Sequence, residues 1–171
     1  MYEVELDSCV KLMGVTAQRH YRGCVCVDDI PKLGLGDFAI VNSLTKQRLL
    51  NSRDDDDNDE KRSAGHWTVL FSGYNVHEGG PLSYFDSFGI WPQNSDFVKA
   101  CLDQSEYILY NNICIQNVFA STCPQHILFV IYHWLSGKCL SEILRDKYDI
   151  TTLSATKNDN IVTEFYNTNF I

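Results

Sequence analysis

The sequence predicts an α+β fold, a small, mostly antiparallel sheet packed against helices, with a cysteine at the N-terminus of a central helix. Three observations lead there. Short runs rich in β-branched and aromatic residues recur through the middle of the chain. One long segment of helical period, apolar nearly all round, follows them. Shorter amphipathic segments lie on either side. A chain of 171 residues with 44% hydrophobic and 21% charged residues fits one globular domain over 1–171 with a sizeable core.

The elements follow in order. Val4, Leu6, Val10, Leu12 and Met13 stand among acids and Lys11, which predicts a helix over 1–13 that Gly14 ends. Residues 21–36 read as irregular, punctuated by Gly23, Pro31, Gly34 and Gly36, with a short extended piece from Cys24 to Val27. Phe38 to Asn42 reads as a strand, and so does the run from His66 to Phe71. Gly79-Gly80-Pro81 marks a turn into a further strand from Leu82 to Asp86, giving a hairpin. Ser87-Phe88-Gly89 turns the chain again, and Ser95 is a candidate cap for a helix over 96–103. Residues 107–116 read as a short strand or a strand-turn-strand piece. From Cys123, Ile127, Leu128, Val130, Ile131, Trp134 and Leu135 predict a buried helix that Gly137 closes. Leu140, Ile143 and Leu144 predict a helix over 139–147. Ile161, Val162, Phe165 and Tyr166 predict another over 158–167, with Asn158 or Asp159 as cap.

Charge and cysteine usage narrow the function. A net charge of −8 repels nucleic acid phosphates and anionic lipid, and no basic patch offsets it, so nucleic acid is disfavoured as a partner. No apolar stretch is long enough to span a membrane. The N-terminal residues lack a basic region and an apolar signal core. Seven cysteines at irregular spacing, without a Cys-x-x-Cys pair, argue against a zinc site and a disulfide framework and for a reducing intracellular setting rather than secretion. Four consecutive aspartates within 51–63 repel one another, which predicts an exposed acidic loop; the spacing of a calcium loop is absent. No metal or other cofactor is expected.

Four residues then stand out: His66, Asp86, Gln116 and Cys123, each at the end of an apolar segment. Histidine, carboxylate, amide and thiol are the parts of a cysteine-nucleophile hydrolase. The thiolate is the attacking form, and a helix N-terminus or a protonated histidine favours it. Cys123 stands at a helix start, and Pro124 supports that placement because proline suits the first helical position. His66 and Asp86 end neighbouring strands, where a carboxylate can orient an imidazole ring. Gln116 is a candidate donor to an oxyanion beside the Cys123 N–H, while Pro124 has none to give. Taken singly, each residue has an ordinary role: a buried thiol, a surface histidine, a turn aspartate, a strand-end amide. Their order is what distinguishes them. His77, His126, His133 and His20 are weaker rivals to His66.

Gly65-His66-Trp67-Thr68-Val69-Leu70, then Tyr84-Phe85-Asp86-Ser87-Phe88-Gly89, then Gln116 and Cys123, resemble the adenovirus-type cysteine endopeptidases (adenain-like), which share a clan with the ubiquitin-like-protein proteases. The strand from Phe38 to Asn42 and the helix after Cys123 extend the resemblance over roughly residues 10–170. It implies a triad of Cys123 as nucleophile, His66 as base and acid, and Asp86 as orienter, with Gln116 in the oxyanion hole and Trp67 packing beside the histidine. It implies a viral or virus-like source, capsid or core precursors as protein substrates during virion maturation, and action in the host nucleus or cytoplasm or in the virion. An activating peptide is a further implied partner, with Cys101 and Cys114 as candidate thiols; the −8 charge weighs against DNA assistance. This chain departs from the family in carrying Pro124 where glycine follows the nucleophile, and in its acidic insertion. Two alternatives remain open: a deubiquitinase-like or SUMO-protease-like isopeptidase acting on host conjugates, and an inactive binding module of the same fold.

Overall fold

The structure, a computed structural model, describes residues 3–48, 65–73, 81–152 and 154–171. The acidic tract at 51–63, His77 and the Gly79-Gly80 turn lie outside the described residues. The elements are α1 (Glu3–Leu12), α2 (Val15–His20), β1 (Tyr21–Cys26), β2 (Phe38–Asn42), β3 (Trp67–Ser72), β4 (Leu82–Phe85), α3 (Ser95–Leu102), β5 (Ile108–Tyr110), α4 (Cys123–Leu135), α5 (Leu140–Lys147) and α6 (Ala155–Phe170).

The fold is α+β. Five strands lie in the order β1-β2-β3-β4-β5. β2, β3 and β4 form an antiparallel centre, and each outer strand is added parallel to its neighbour, so the sheet is mixed. The hairpin expected from the sequence is β3–β4, in register through Val69 opposite Phe85 and Leu70 opposite Tyr84.

Both faces of the sheet are covered, which explains why β2 and β3 read as continuous apolar runs. Alternate residues point to opposite faces. Phe38, Ile40, Trp67, Val69 and Phe71 join the core built with α4, whereas Ala39, Val41 and Leu70 meet Phe97 and Cys101 of α3. Phe38 and Phe71 both pack on Trp134 of α4, with ring centroids 5.9 and 4.7 Å away. Each such buried phenyl ring contributes about 2–3 kcal/mol. Pro124, the residues from His126 to Ile131 and Trp134 are all buried, as an apolar helix at the centre requires.

The remaining differences from the sequence expectations are local. A short helix, α2, follows the Gly14 break. β1 is longer than the Cys24-to-Val27 piece, with a register shift against β2 between Tyr21 and Cys24. Asn94, not Ser95, caps α3: its Oδ1 accepts from the N–H groups of Asp96 and Phe97, both at 2.9 Å. β5 keeps only three residues. α6 begins at Ala155 under a Ser154 cap, so Asp159 lies inside the helix and is free for another task.

Candidate active site

Antiparallel pairing puts the start of β3 and the end of β4 at one end of the sheet, so His66 and Asp86 meet. His66 Nε2 lies 2.8 Å from Asp86 Oδ1. The His66 backbone is pinned from both sides by Ser43, whose Oγ accepts the His66 N–H at 2.9 Å and whose N–H donates to the His66 carbonyl at 2.8 Å. Gly65 enters this position with a φ of 68°, and a Cβ there would run into the Asn42 side chain. That is a backbone requirement only glycine meets cheaply.

Asp86 is held equally firmly. Its backbone exchanges two hydrogen bonds with the Asn111 side chain: the Asp86 N–H donates to Asn111 Oδ1 at 2.9 Å and Asn111 Nδ2 donates to the Asp86 carbonyl at 2.6 Å. Asp86 Oδ1 also accepts the Phe88 N–H at 2.7 Å, and the Phe88 ring stacks on His66 with centroids 4.7 Å apart. Gly89 ends the turn with φ 69°, where a Cβ would fall 2.6 Å from the Ile113 carbonyl carbon. This close approach brings the segment after β5 against the turn. The Ser87 carbonyl accepts from the N–H groups of Ile115 and Gln116 at 2.9 and 3.1 Å.

Gln116 is thereby tied to the turn that follows Asp86, 1% exposed. Its Oε1 accepts from Ser87 Oγ at 2.5 Å, and its Nε2 donates to the Ala120 carbonyl at 2.7 Å, which leaves one amide hydrogen uncommitted. Cys123 is the first residue of α4, half-buried, with Pro124 in the first turn. Its side chain interacts with the His66 ring. Nε2 is engaged by Asp86, so Nδ1 is the nitrogen left for the thiol. Burial pulls the His66 pKa down, but the hydrogen bonds to Asp86 and Cys123 and their charges outweigh it and raise it to about 9. The ring thus carries a proton at neutral pH.

The structure brings His66, Asp86 and Cys123 together and ties Gln116 to Ser87, the residue after Asp86. Trp67, the residue after the histidine, is buried in the core against α4. Of the rival histidines, His126 is fully buried and His133 packs edge-on against Phe129 with centroids 4.6 Å apart. Cys101 is a free thiol fully buried under the sheet, while the free thiol of Cys114 is exposed. A cavity of about 270 Å³ opens beside His66 and Asp86, lined also by Ser43, Tyr84, Trp91 and Pro92. Among the described residues, no group of three His, Cys, Asp or Glu side chains is placed to hold a metal ion. Also among them, no single helix is long and apolar enough to cross a membrane.

Sequence reasoning did not find Ser87, Phe88 and Asn111 as supports of this site. Ser87 and Phe88 stood in the motif that carries Asp86, and adjacency was their signal. Asn111 had none, because its contacts span 25 positions.

No family model matches the chain, and no curated protein does. Eight solved chains match in fold. One is the crystal structure of ASFV pS273R protease, similar at a TM-score of 0.52 and 11% identity over 93% of this chain. This chain spans 66% of that protein's length. A likeness at this identity establishes the shared fold, that of a protease.

Proposed function

We propose that this chain is a thiol endopeptidase that cleaves precursor proteins of a viral capsid or core during maturation. The observation that carries the reading is the His66 ring, bonded by Asp86 on one nitrogen and flanked by Cys123 at a helix start on its other side. Cys123 sulfur would attack the scissile carbonyl carbon, and the carbonyl electron pair would move to oxygen. The Cys123 N–H and the uncommitted hydrogen of the Gln116 amide are the candidate donors to that oxyanion. Collapse would break the C–N bond as protonated His66 gives its proton to the leaving amine. Water, giving a proton to the now neutral ring, would then attack the thioester, release the acid and restore the Cys123 thiolate beside protonated His66. Asp86 would hold the ring throughout.

The fold shared with a protease supports the coarse reading. All seven cysteines are free, which suits a thiol enzyme acting in a reducing host compartment or in a particle assembled there. The test is cleavage of peptides spanning junctions in the structural precursors encoded beside this gene, with Cys123→Ala as control. Wild type should cleave, and Cys123→Ala should fold with an unchanged melting temperature and cleave nothing. A purified Cys123→Ala protein that still cleaves would sink the assignment. Turnover of ubiquitin- or SUMO-based fluorogenic substrates in place of the precursors would move the substrate to host conjugates.

A further inference from the structure

The segment 117–122 joins Gln116 to Cys123, and it has little core of its own. Val118 and Phe119 are 66% and 94% exposed. Hydrophobic burial therefore does not set its position; its polar ties do. Inside the segment, Asn117 Oδ1 accepts the Phe119 N–H at 3.0 Å and the Asn117 carbonyl accepts the Ala120 N–H at 2.9 Å. These bonds shape the loop without anchoring it.

The anchor is Asp159 on α6, 7% exposed. Three donors converge on its carboxylate. Thr122 Oγ1 donates to Oδ1 at 2.6 Å, His126 Nε2 lies 2.9 Å from the same oxygen, and the Asn117 N–H donates to Oδ2 at 3.1 Å. Asn117 directly follows Gln116 and Thr122 directly precedes Cys123, so one carboxylate grips both ends of the loop. A second tie runs from Asn117 Nδ2 to Thr156 Oγ1 at 3.2 Å, again on α6. His126 is fully buried, and burial lowers its pKa against the opposing pull of Asp159. A neutral ring here donates from Nε2 to Asp159 and accepts at Nδ1 from the Tyr148 hydroxyl, 3.2 Å away. Tyr148 also stacks on the ring, with centroids 5.6 Å apart.

We propose that Asp159 is a positioning residue of the active site: from α6 it clamps Asn117 and Thr122, and through them fixes the Gln116 amide and the Cys123 sulfur relative to each other. Thr122 is the capping residue of α4 yet makes no side-chain cap bond within that helix. Its hydroxyl is spent on Asp159 instead. The seating of the C-terminal helix thereby becomes part of the geometry at the nucleophile. Misplacement by about 1 Å is enough to cost a reaction about a hundredfold.

The inference rests on Cys123 being the nucleophile, and its test has one arm that does not need peptide cleavage. Thr122→Val keeps the side-chain shape and removes the hydroxyl; Thr122→Ser keeps the hydroxyl. The full chain is used in each case. In the first arm, kcat of Thr122→Val should fall at least about tenfold, with KM within about twofold of wild type, and Thr122→Ser should recover most of the loss. In the second arm, iodoacetamide alkylation at Cys123, followed by peptide mapping, should slow in Thr122→Val and recover in Thr122→Ser. Asp159→Asn, which retains the shape but only one acceptor oxygen, should slow both. Melting curves and titration of reactive Cys123 give the folded fraction. Unchanged rates in Thr122→Val, an equally impaired Thr122→Ser, or losses that only track the folded fraction would overturn the positioning role. If wild type cleaves no peptide, the proposed function falls, and the alkylation arm alone decides the clamp.

Discussion

Asp86→Asn isolates the charge of Asp86 from its geometry. Asn111 holds the residue-86 backbone by two hydrogen bonds, and Oδ1 is fixed further by the Phe88 N–H at 2.7 Å. An asparagine oxygen in that place still accepts from Phe88 and from His66 Nε2, so the ring stays oriented while the negative charge is lost. The raised His66 pKa of about 9 arises against burial, through Asp86 first and then Cys123. Removing the charge leaves burial opposed mainly by Cys123, and the ring should lose its proton about 1.5–2 pH units lower. In a pH profile of kcat/KM, the alkaline limb should move from about 9 to about 7–7.5. At pH 6 both enzymes hold the ring charged, and their rates should agree within about twofold. At pH 8.5 about three-quarters of wild-type rings stay charged against less than a tenth in the variant, so Asp86→Asn should be slower by about eightfold to twenty-fivefold. The limb belongs to the interacting Cys123–His66 pair, so its displacement is the quantity to compare. An alkaline limb left near 9, or a loss of the same size at every pH, would refute an electrostatic role for Asp86.

The same raised pKa makes stability depend on pH. A base whose folded pKa lies above its unfolded value of 6.5 stabilises the fold fully below pH 6.5 and loses that contribution as pH rises through about 9. The interval corresponds to about 3 kcal/mol. Urea unfolding of wild type should show that decline between pH 6.5 and 9.5, and His66→Gln should show a much flatter one; identical declines would assign it to other groups. Gly89→Ala places a Cβ against the Ile113 backbone at a positive φ, where neither a flexible side chain nor a cheap rotation can give way. Thermal unfolding should report a loss of about 2 kcal/mol or more, with activity falling further than stability because the turn carries both Asp86 and the Ser87 tie to Gln116.

The strands that carry His66 and Asp86 were legible because their signal is local and strong. β-branched and aromatic runs bounded by glycines define β3 and β4, and their antiparallel pairing makes the ends meet. α4 was legible for the same reason: its apolar positions exceed one face, and proline marks its start. Less of α6 could be read. Its stripe begins at Ile161, while residues 156–160 are polar, and two of them, Asn158 and Asp159, are buried against partners outside the helix. Asn158 Oδ1 accepts the Asp149 N–H at 2.8 Å, and Asp159 binds across 42 positions to Asn117. Cap chemistry and tertiary anchoring use the same residue types, Ser, Asn and Asp, so composition cannot separate them. β5 failed as a strand beyond three residues because Tyr107, Leu109 and Tyr110 look strand-like and apolar, yet they lie on an exposed edge.

Pro124 links the features of the site that were legible to those that were not. It suits the first turn of α4, but it removes one N–H from the end of the helix that begins at Cys123. Within the main chain, the His126 N–H is already committed to the Thr122 carbonyl at 3.0 Å. The donors left for an oxyanion beside Cys123 are then few, and the Gln116 amide gains weight. A long, freely rotating glutamine would be a poor substitute for a fixed backbone N–H, because preorganisation is what makes such a donor effective. The structure removes that freedom. Ser87 holds one end of the amide, Ala120 the other, and both supports belong to segments fixed elsewhere: the turn closed by Gly89 and the loop clamped by Asp159. On the proposed reading, proline after Cys123 and a doubly tethered glutamine would be two parts of one arrangement, in which side-chain and loop anchoring take over from the helix N-terminus.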